Sequence, residues 1–166
     1  MSNQVEGRCL CSTVRFIARG EPAEVSWCHC QSCRRHTGAP ASAFVAFKRD
    51  AYVVTEGEIT KFTSSPGGLR GFCARCGSTM TCEGEGLPEI QFHIGTFTYE
   101  DASRLRPTKQ FFPEERLPWV RQVHRLSTLS APASTSRRSL SKLTLCPSAS
   151  NIRIAGHLKE ISRKTC

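Results

Sequence analysis

Short alternations of apolar and polar residues, rather than helical repeats, run through the first two thirds of the chain. In V-R-F-I-A, residues 14–18, Val14, Phe16 and Ala18 fall on one face and Arg15 and Ile17 on the other, the period-two pattern of a strand. A-F-V-A-F, 43–47, is an apolar strand bounded by Pro40 on one side and Lys48-Arg49-Asp50 on the other. I-T-K-F-T, 59–63, alternates again and stops at the turn Ser65-Pro66-Gly67-Gly68. Glu89-Ile90-Gln91-Phe92-His93-Ile94 has the pattern of a half-buried strand. No helical period is sustained over three turns between Arg8 and His93, so the pattern predicts a mainly β fold of antiparallel sheets.

The pattern changes after Arg125. L-S-T-L-S-A-P-A-S-T-S-R-R-S-L-S-K-L is rich in Ser and Thr, basic and free of aromatics, a composition that seldom builds a core. The expected organisation is therefore a folded domain over residues 1–125 and an irregular, Ser-rich basic tail over 126–166. That tail is expected to be disordered or loosely docked, with one short amphipathic piece around Ile152, Ile154, Leu158 and Ile161.

A length of 166 residues suits one domain with a real core. Charge adds less than its size suggests. The net charge is +9, but Arg137, Arg138, Lys142, Arg153, Lys159, Arg163 and Lys164 face only Glu160 within the tail. The folded body is only mildly basic, which argues against nucleic acid as a partner. No apolar run is long enough to span a bilayer, and M-S-N-Q-V-E-G-R-C carries no signal-type apolar stretch, so a cytoplasmic setting is expected.

Ten cysteines change the picture more. In a reducing compartment, clustered cysteines are metal ligands or catalysts more often than disulfides. Three clusters are present: Cys9-Leu10-Cys11, Cys28-His29-Cys30-Gln31-Ser32-Cys33 and Cys73-Ala74-Arg75-Cys76-Gly77. The last resembles a zinc knuckle, in which a tight turn aims two sulfurs at one metal and the following Gly accepts positive φ. On a strand, Cys9 and Cys11 would share a face and complete a closed four-cysteine site with Cys73 and Cys76. Cys28 and Cys30 would likewise share a strand face, with Cys33 returning through a turn. Three protein ligands and an open fourth position form the pattern of a catalytic zinc.

A second partition stays open on spacing alone: Cys30-x-x-Cys33 with Cys73-x-x-Cys76 as one ribbon-type site. A thioredoxin-like redox motif is disfavoured, since no βαβ pattern surrounds either C-x-x-C. Cys82, Cys146 and Cys166 lack clustered partners, and Cys82 fits a buried strand position. His29 would point away from the metal of its neighbours, in a supporting role. His36, His93 and His124 are lone histidines, for which hydrogen-bonded structural roles are expected. Arg34 and Arg35 follow the last thiol directly and could receive carboxylates through paired hydrogen bonds; Arg70 is a similar candidate.

Taken together, the series C-x-C, C-H-C-x-x-C-R-R-x-x-G-A-P and S-S-P-x-x-x-R-x-F-C-x-x-C-G-S resembles the glutathione-dependent formaldehyde-activating (GFA) enzyme family. Here it reads Cys9–Cys11, Cys28–Pro40 and Ser64–Ser78, with Arg106-Pro107-Thr108-Lys109 through Leu117-Pro118-Trp119 as a closing pattern. The resemblance covers roughly residues 5 to 120 and rests on seven ordered cysteines. It implies a β-tent of folded antiparallel sheets, shared with a small zinc protein that interacts with Rab GTPases. It implies two zinc ions per chain: a structural one on Cys9, Cys11, Cys73 and Cys76, and a labile one on Cys28, Cys30 and Cys33. The implied activity is that of a carbon–sulfur lyase, run in reverse as condensation of formaldehyde with glutathione as co-substrate. A zinc-stapled module that binds a protein without catalysis is the alternative. The family usually has Gly after its first C-x-C, where this chain has Ser12.

Overall fold

The computed structural model describes residues 3–120, and the predicted tail over 126–166 lies outside them, as do His124, Cys146 and Cys166. Ten strands and two short helices follow in the order β1 (Gln4–Arg8), β2 (Arg15–Arg19), β3 (Glu24–Cys28), α1 (Gln31–Thr37), β4 (Ser42–Lys48), β5 (Tyr52–Glu56), β6 (Thr60–Ser65), β7 (Gly68–Phe72), β8 (Thr79–Gly84), β9 (Glu89–His93), α2 (Tyr99–Arg104) and β10 (Lys109–Phe111). The strands form a three-stranded sheet, β1-β2-β5, and a seven-stranded sheet, β10-β3-β4-β9-β8-β7-β6. All pairings are antiparallel except the short parallel pairing of β10 with β3. The mainly β, antiparallel expectation holds.

Each alternating stretch becomes a strand, and those at 14–18 and 89–94 show the expected faces, whereas β6 is exposed along almost its whole length, Phe62 included. Val14, Phe16 and Ala18 are buried while Arg15 and Arg19 are exposed. On β9, Ile90 and Phe92 enter the main core. Val45 and Phe47 of β4 do the same, whereas Phe44 packs in a separate cluster with Cys28 and Cys33. Strand β4 therefore buries both faces. Its continuous apolar run, with no polar side, reflects that.

Aromatic rings bind the two sheets together. Phe16 of β2 stacks on Phe92 of β9 with centroids 4.4 Å apart, and Phe97 meets Phe16 edge-on at 5.3 Å. Such pairs add about 0.5–1.5 kcal/mol beyond the area they bury. Gly7 is needed beneath them: a Cβ there would lie 2.2 Å from the Phe16 ring.

At the margin of this core, Glu83 of β8 is a buried carboxylate between two cations. Its Oε2 accepts from Arg49 Nη1 at 2.6 Å, and Lys61 Nζ lies 2.7 Å from Oε1. Burial alone would raise its pKa, but the Lys61 and Arg49 contacts overcome burial and hold it below the usual carboxylate value. A carboxyl with a depressed folded pKa contributes stability above its unfolded pKa, and that stability is lost as pH falls through the folded value. Both cations are partly exposed, which screens the pair. Glu83→Gln is expected to lower unfolding free energy by about 1–2 kcal/mol at pH 7. The deficit should shrink below about pH 4.3, where the unfolded chain begins to protonate, as read from urea midpoints of the two proteins across pH.

Candidate metal centres

Two groups of cysteines converge, one at the main core and one in a separate cluster. In the first, the sulfurs of Cys9, Cys11, Cys73 and Cys76 all lie within 4.8 Å of one another. Cys9 Sγ is 3.5 Å from Cys11 Sγ, and Cys11 Sγ is 3.9 Å from Cys73 Sγ. Four sulfurs at the usual 2.3 Å from a tetrahedral zinc sit about 3.8 Å apart, so this quartet fits the ion. Cys9 and Cys73 are buried within the main core.

Local hydrogen bonds explain how the quartet forms. The strand expected to carry Cys9 and Cys11 is not there: β1 ends at Arg8, and the pair lies in a turn closed by Ser12 N–H to Cys9 O at 3.0 Å. That turn requires Ser12 at φ 61°, the left-handed region that favours Gly. On the facing loop, Gly77 takes φ 73° and its N–H closes onto Cys73 O at 2.8 Å, as the knuckle spacing requires. Ser78 Oγ accepts from Leu10 N–H at 2.9 Å and joins the two loops directly. The Val14 N–H donates to Cys9 Sγ at 3.3 Å.

In the second group, the sulfurs of Cys28, Cys30 and Cys33 also lie within 4.8 Å of one another. Cys28 ends β3, but Cys30 has left the strand: it is the N-cap of α1, and its Sγ accepts from Cys33 N–H at 3.3 Å. A side-chain acceptor at this position satisfies an orphan amide of the first turn, so the thiol both caps the helix and faces its partners. The ribbon-type pairing of Cys30 and Cys33 with Cys73 and Cys76 is not formed.

Charge around this trio is uneven. The neighbouring Cys33 and then burial push the Cys28 thiol up. The hydrogen bond with Cys28, and then Arg70, bring Cys33 down to about 5 against the effect of burial. Arg70 is only 8% exposed, and its Nη1 donates to Cys33 Sγ at 3.4 Å. Its strand partner is Cys82, which also packs against the trio.

The remaining predicted residues are placed differently. Arg34 is held through Nε to His29 O at 3.0 Å, and Arg35 is exposed. His29 is buried, with Nε2 3.2 Å from Gln110 Oε1. Sequence reasoning set aside His36 and His93, yet both stand close enough to Arg70 to feel its charge. Cys33 and His36 are three apart on α1 and share a face. His93 is the cross-strand partner of Phe44, with their rings 4.5 Å apart. The parity of the strand, with Phe92 in the core, was the signal available for His93.

The family model described as glutathione-dependent formaldehyde-activating enzyme matches residues 4–115. The chain belongs to this family. An uncharacterized lyase of Schizosaccharomyces pombe is 36% identical over 78 residues, a match spanning 46% of this chain and 56% of the relative. A putative glutathione-dependent formaldehyde-activating enzyme of Halomonas elongata is 26% identical over 126 residues, 70% of this chain and 79% of that protein. A Rhodobacter sphaeroides protein of known crystal structure shares the fold, with TM-score 0.50 and 19% identity, covering 64% of this chain and 99% of that one.

In this GFA chain, the two loop residues in left-handed conformation give opposite expectations. Gly77→Ala adds a Cβ that meets nothing within 4 Å, so its cost is backbone strain alone, about 1 kcal/mol. Ser12→Gly removes that strain but also the Arg8 contact to Ser12 Oγ and adds unfolded-chain entropy, leaving a gain of at most about 0.5 kcal/mol. Thermal unfolding of both variants checks the signs.

Proposed function

We propose that this GFA family member is a zinc-dependent carbon–sulfur lyase that joins a glutathione-type thiol to formaldehyde, giving S-hydroxymethylglutathione, and runs the reverse cleavage. Its family membership and the printed names of its lyase and formaldehyde-activating relatives support this reading. The observation that carries it is the division of sulfurs: a quartet able to close a metal site within the core, and a trio with one coordination position to spare.

The all-thiolate donor sets suit zinc. Cys9, Cys11, Cys73 and Cys76 would hold a structural ion, and Cys28, Cys30 and Cys33 a second, exchangeable one. Zinc at the trio supplies an open ligand position and favours the thiolate form of a thiol that reaches it. Arg70 hydrogen-bonds Cys33 and offsets the negative charge of the trio. The helix cap fixes Cys30 and Cys33 relative to each other, so the trio is formed before substrate arrives. Arg34 and Arg35, which follow Cys33 on α1, would receive a glutathione carboxylate.

In the forward direction the substrate sulfur attacks the aldehyde carbon. The S–C bond forms, the carbonyl π pair moves onto oxygen, and the proton released by the thiol ends on that oxygen. Atoms and charge balance without a redox partner. The catalytic unit is assigned to residues 1–125. Among the described residues no helix is long and apolar enough to cross a membrane, and a cytoplasmic location is proposed.

Metal analysis of the purified chain should give two zinc ions, one removed by mild chelation. Cys30→Ser should abolish activity and keep the fold, whereas Cys73→Ser should unfold the domain, because a closed metal site contributes folding free energy directly. Equal folding of both variants would overturn the division of roles. A single, tightly held zinc with no thiol binding would favour a non-catalytic module. Arg70→Met should lower activity about 10–100-fold while the quartet zinc stays bound, a loss typical of residues that orient metal ligands.

A further inference from the structure

Among the described residues three buried ring nitrogens are unpaired, His29 Nδ1 and two on neighbouring rings that both feel the Arg70 charge. His36 Nε2 and His93 Nε2 have no hydrogen-bond partner among the described residues, although both atoms are shielded from solvent. His93 is 7% exposed. Leaving a buried polar atom unmet costs about 1–3 kcal/mol, so two such atoms on neighbouring rings call for a ligand. The two rings come from different elements, α1 and β9, with centroids 6.0 Å apart. An oxygen about 2.9 Å from each Nε2 lies about 4 Å from each centroid, a placement that this separation permits.

The surroundings tie this pair to the trio. Arg70 bonds Cys33 and its charge acts on both histidines. The Phe44 ring that packs with Cys28 and Cys33 also touches His93, while the Phe62 ring lies 5.8 Å from His36. Burial first, and then Arg70 for His36, or His36 and Arg70 for His93, hold both imidazoles below their usual pKa, His93 at about 4. Both rings are therefore neutral at pH 7. A neutral Nε2 is either one donor or one acceptor, and a hydroxyl is one donor and a double acceptor.

We infer that His36 Nε2 and His93 Nε2 bind the oxygen of the thiol–aldehyde adduct, one nitrogen donating to it and the other accepting from it. Both are catalytic residues in the sense that they touch the reacting oxygen. The inference rests on the thiol-adduct function proposed above. It supplies what the arginines and thiols do not: a receptor for the oxygen that gains electron density as the S–C bond forms. The proton leaving the thiol is delivered to that same oxygen, and the ring whose nitrogen accepts orients the resulting hydroxyl.

The test compares two ligands that differ in one group. S-hydroxymethylglutathione, preformed from glutathione and formaldehyde, carries a hydroxyl where S-ethylglutathione carries a methyl group. By calorimetry on the zinc-loaded full chain, wild type should bind the hydroxyl compound at least about tenfold more tightly. His36→Phe and His93→Phe should each remove most of that preference without weakening S-ethylglutathione, and His36→Gln and His93→Gln should restore part of it. In wild type, the ring nitrogen NMR resonances of both histidines should shift with the hydroxyl compound and not with S-ethylglutathione, a readout that does not depend on any variant folding. Equal weakening of both ligands in the Phe variants, or no preference and no ring shift in wild type, overturns the inference and leaves the thiol-adduct function standing. Binding of neither ligand overturns that function as well, and this inference with it.

Discussion

Sulfur atoms gathered within 4.8 Å of one another stay together only if protons remain on them or a cation sits among them. Four thiolates in a low-dielectric core repel strongly, and burial already pushes Cys9 up to about 11. A dication would resolve this, and most of the architecture serves to bring the sulfurs together where one would sit. The loops holding Cys11 and Cys73 are 62 residues apart in the chain, and their sulfurs are 3.9 Å apart in space. The three-stranded sheet carries one loop and the seven-stranded sheet the other, so the quartet joins the two sheets at the margin of the aromatic core.

The seven-stranded sheet then acts as a partition. One face belongs to Phe92, Val45 and Phe47, the face that closes over the small sheet. The other carries Phe44, His93, Cys82 and Arg70, with α1 laid against it. On the proposed function, stability and chemistry would fall on opposite sides of a few strands. A thiol site on the α1 side would then exchange its metal or bind substrate without loosening the core behind it. Arg70 fits this plan: a buried guanidinium is costly unless paired, and here its partners are a thiol cluster and a serine hydroxyl.

Much of this was legible in the chain. The alternation at 14–18 and 89–93 specified strands and their buried faces, because a period of two has a single reading once one face is apolar. C-x-x-C-G at 73–77 specified the knuckle turn, since the geometry needed is contained in five residues. Less local features were misread. Cys9 and Cys11 converge through a turn with a strained serine, and Cys30 caps a helix of seven residues, too short to show a period. In both cases the sulfurs still converge, by a route that C-x-C spacing does not specify.

By itself the sequence determined the strands around 14–18, 43–47, 59–63 and 89–94, the knuckle, the family and the membership of the two cysteine groups once the family pattern is recognised. All depend on residues close in the chain or on an ordered series of motifs. Tertiary structure alone decided that Arg70 meets Cys33 and that the rings of His36 and His93 lie near one another beside it. Those contacts join residues far apart in the chain, and they depend on strand register. A slip of one residue in β7 or β9 would turn Arg70 or His93 to the other face of the sheet. Local pattern says which face each residue prefers, but only the pairing of strands says which residues meet there.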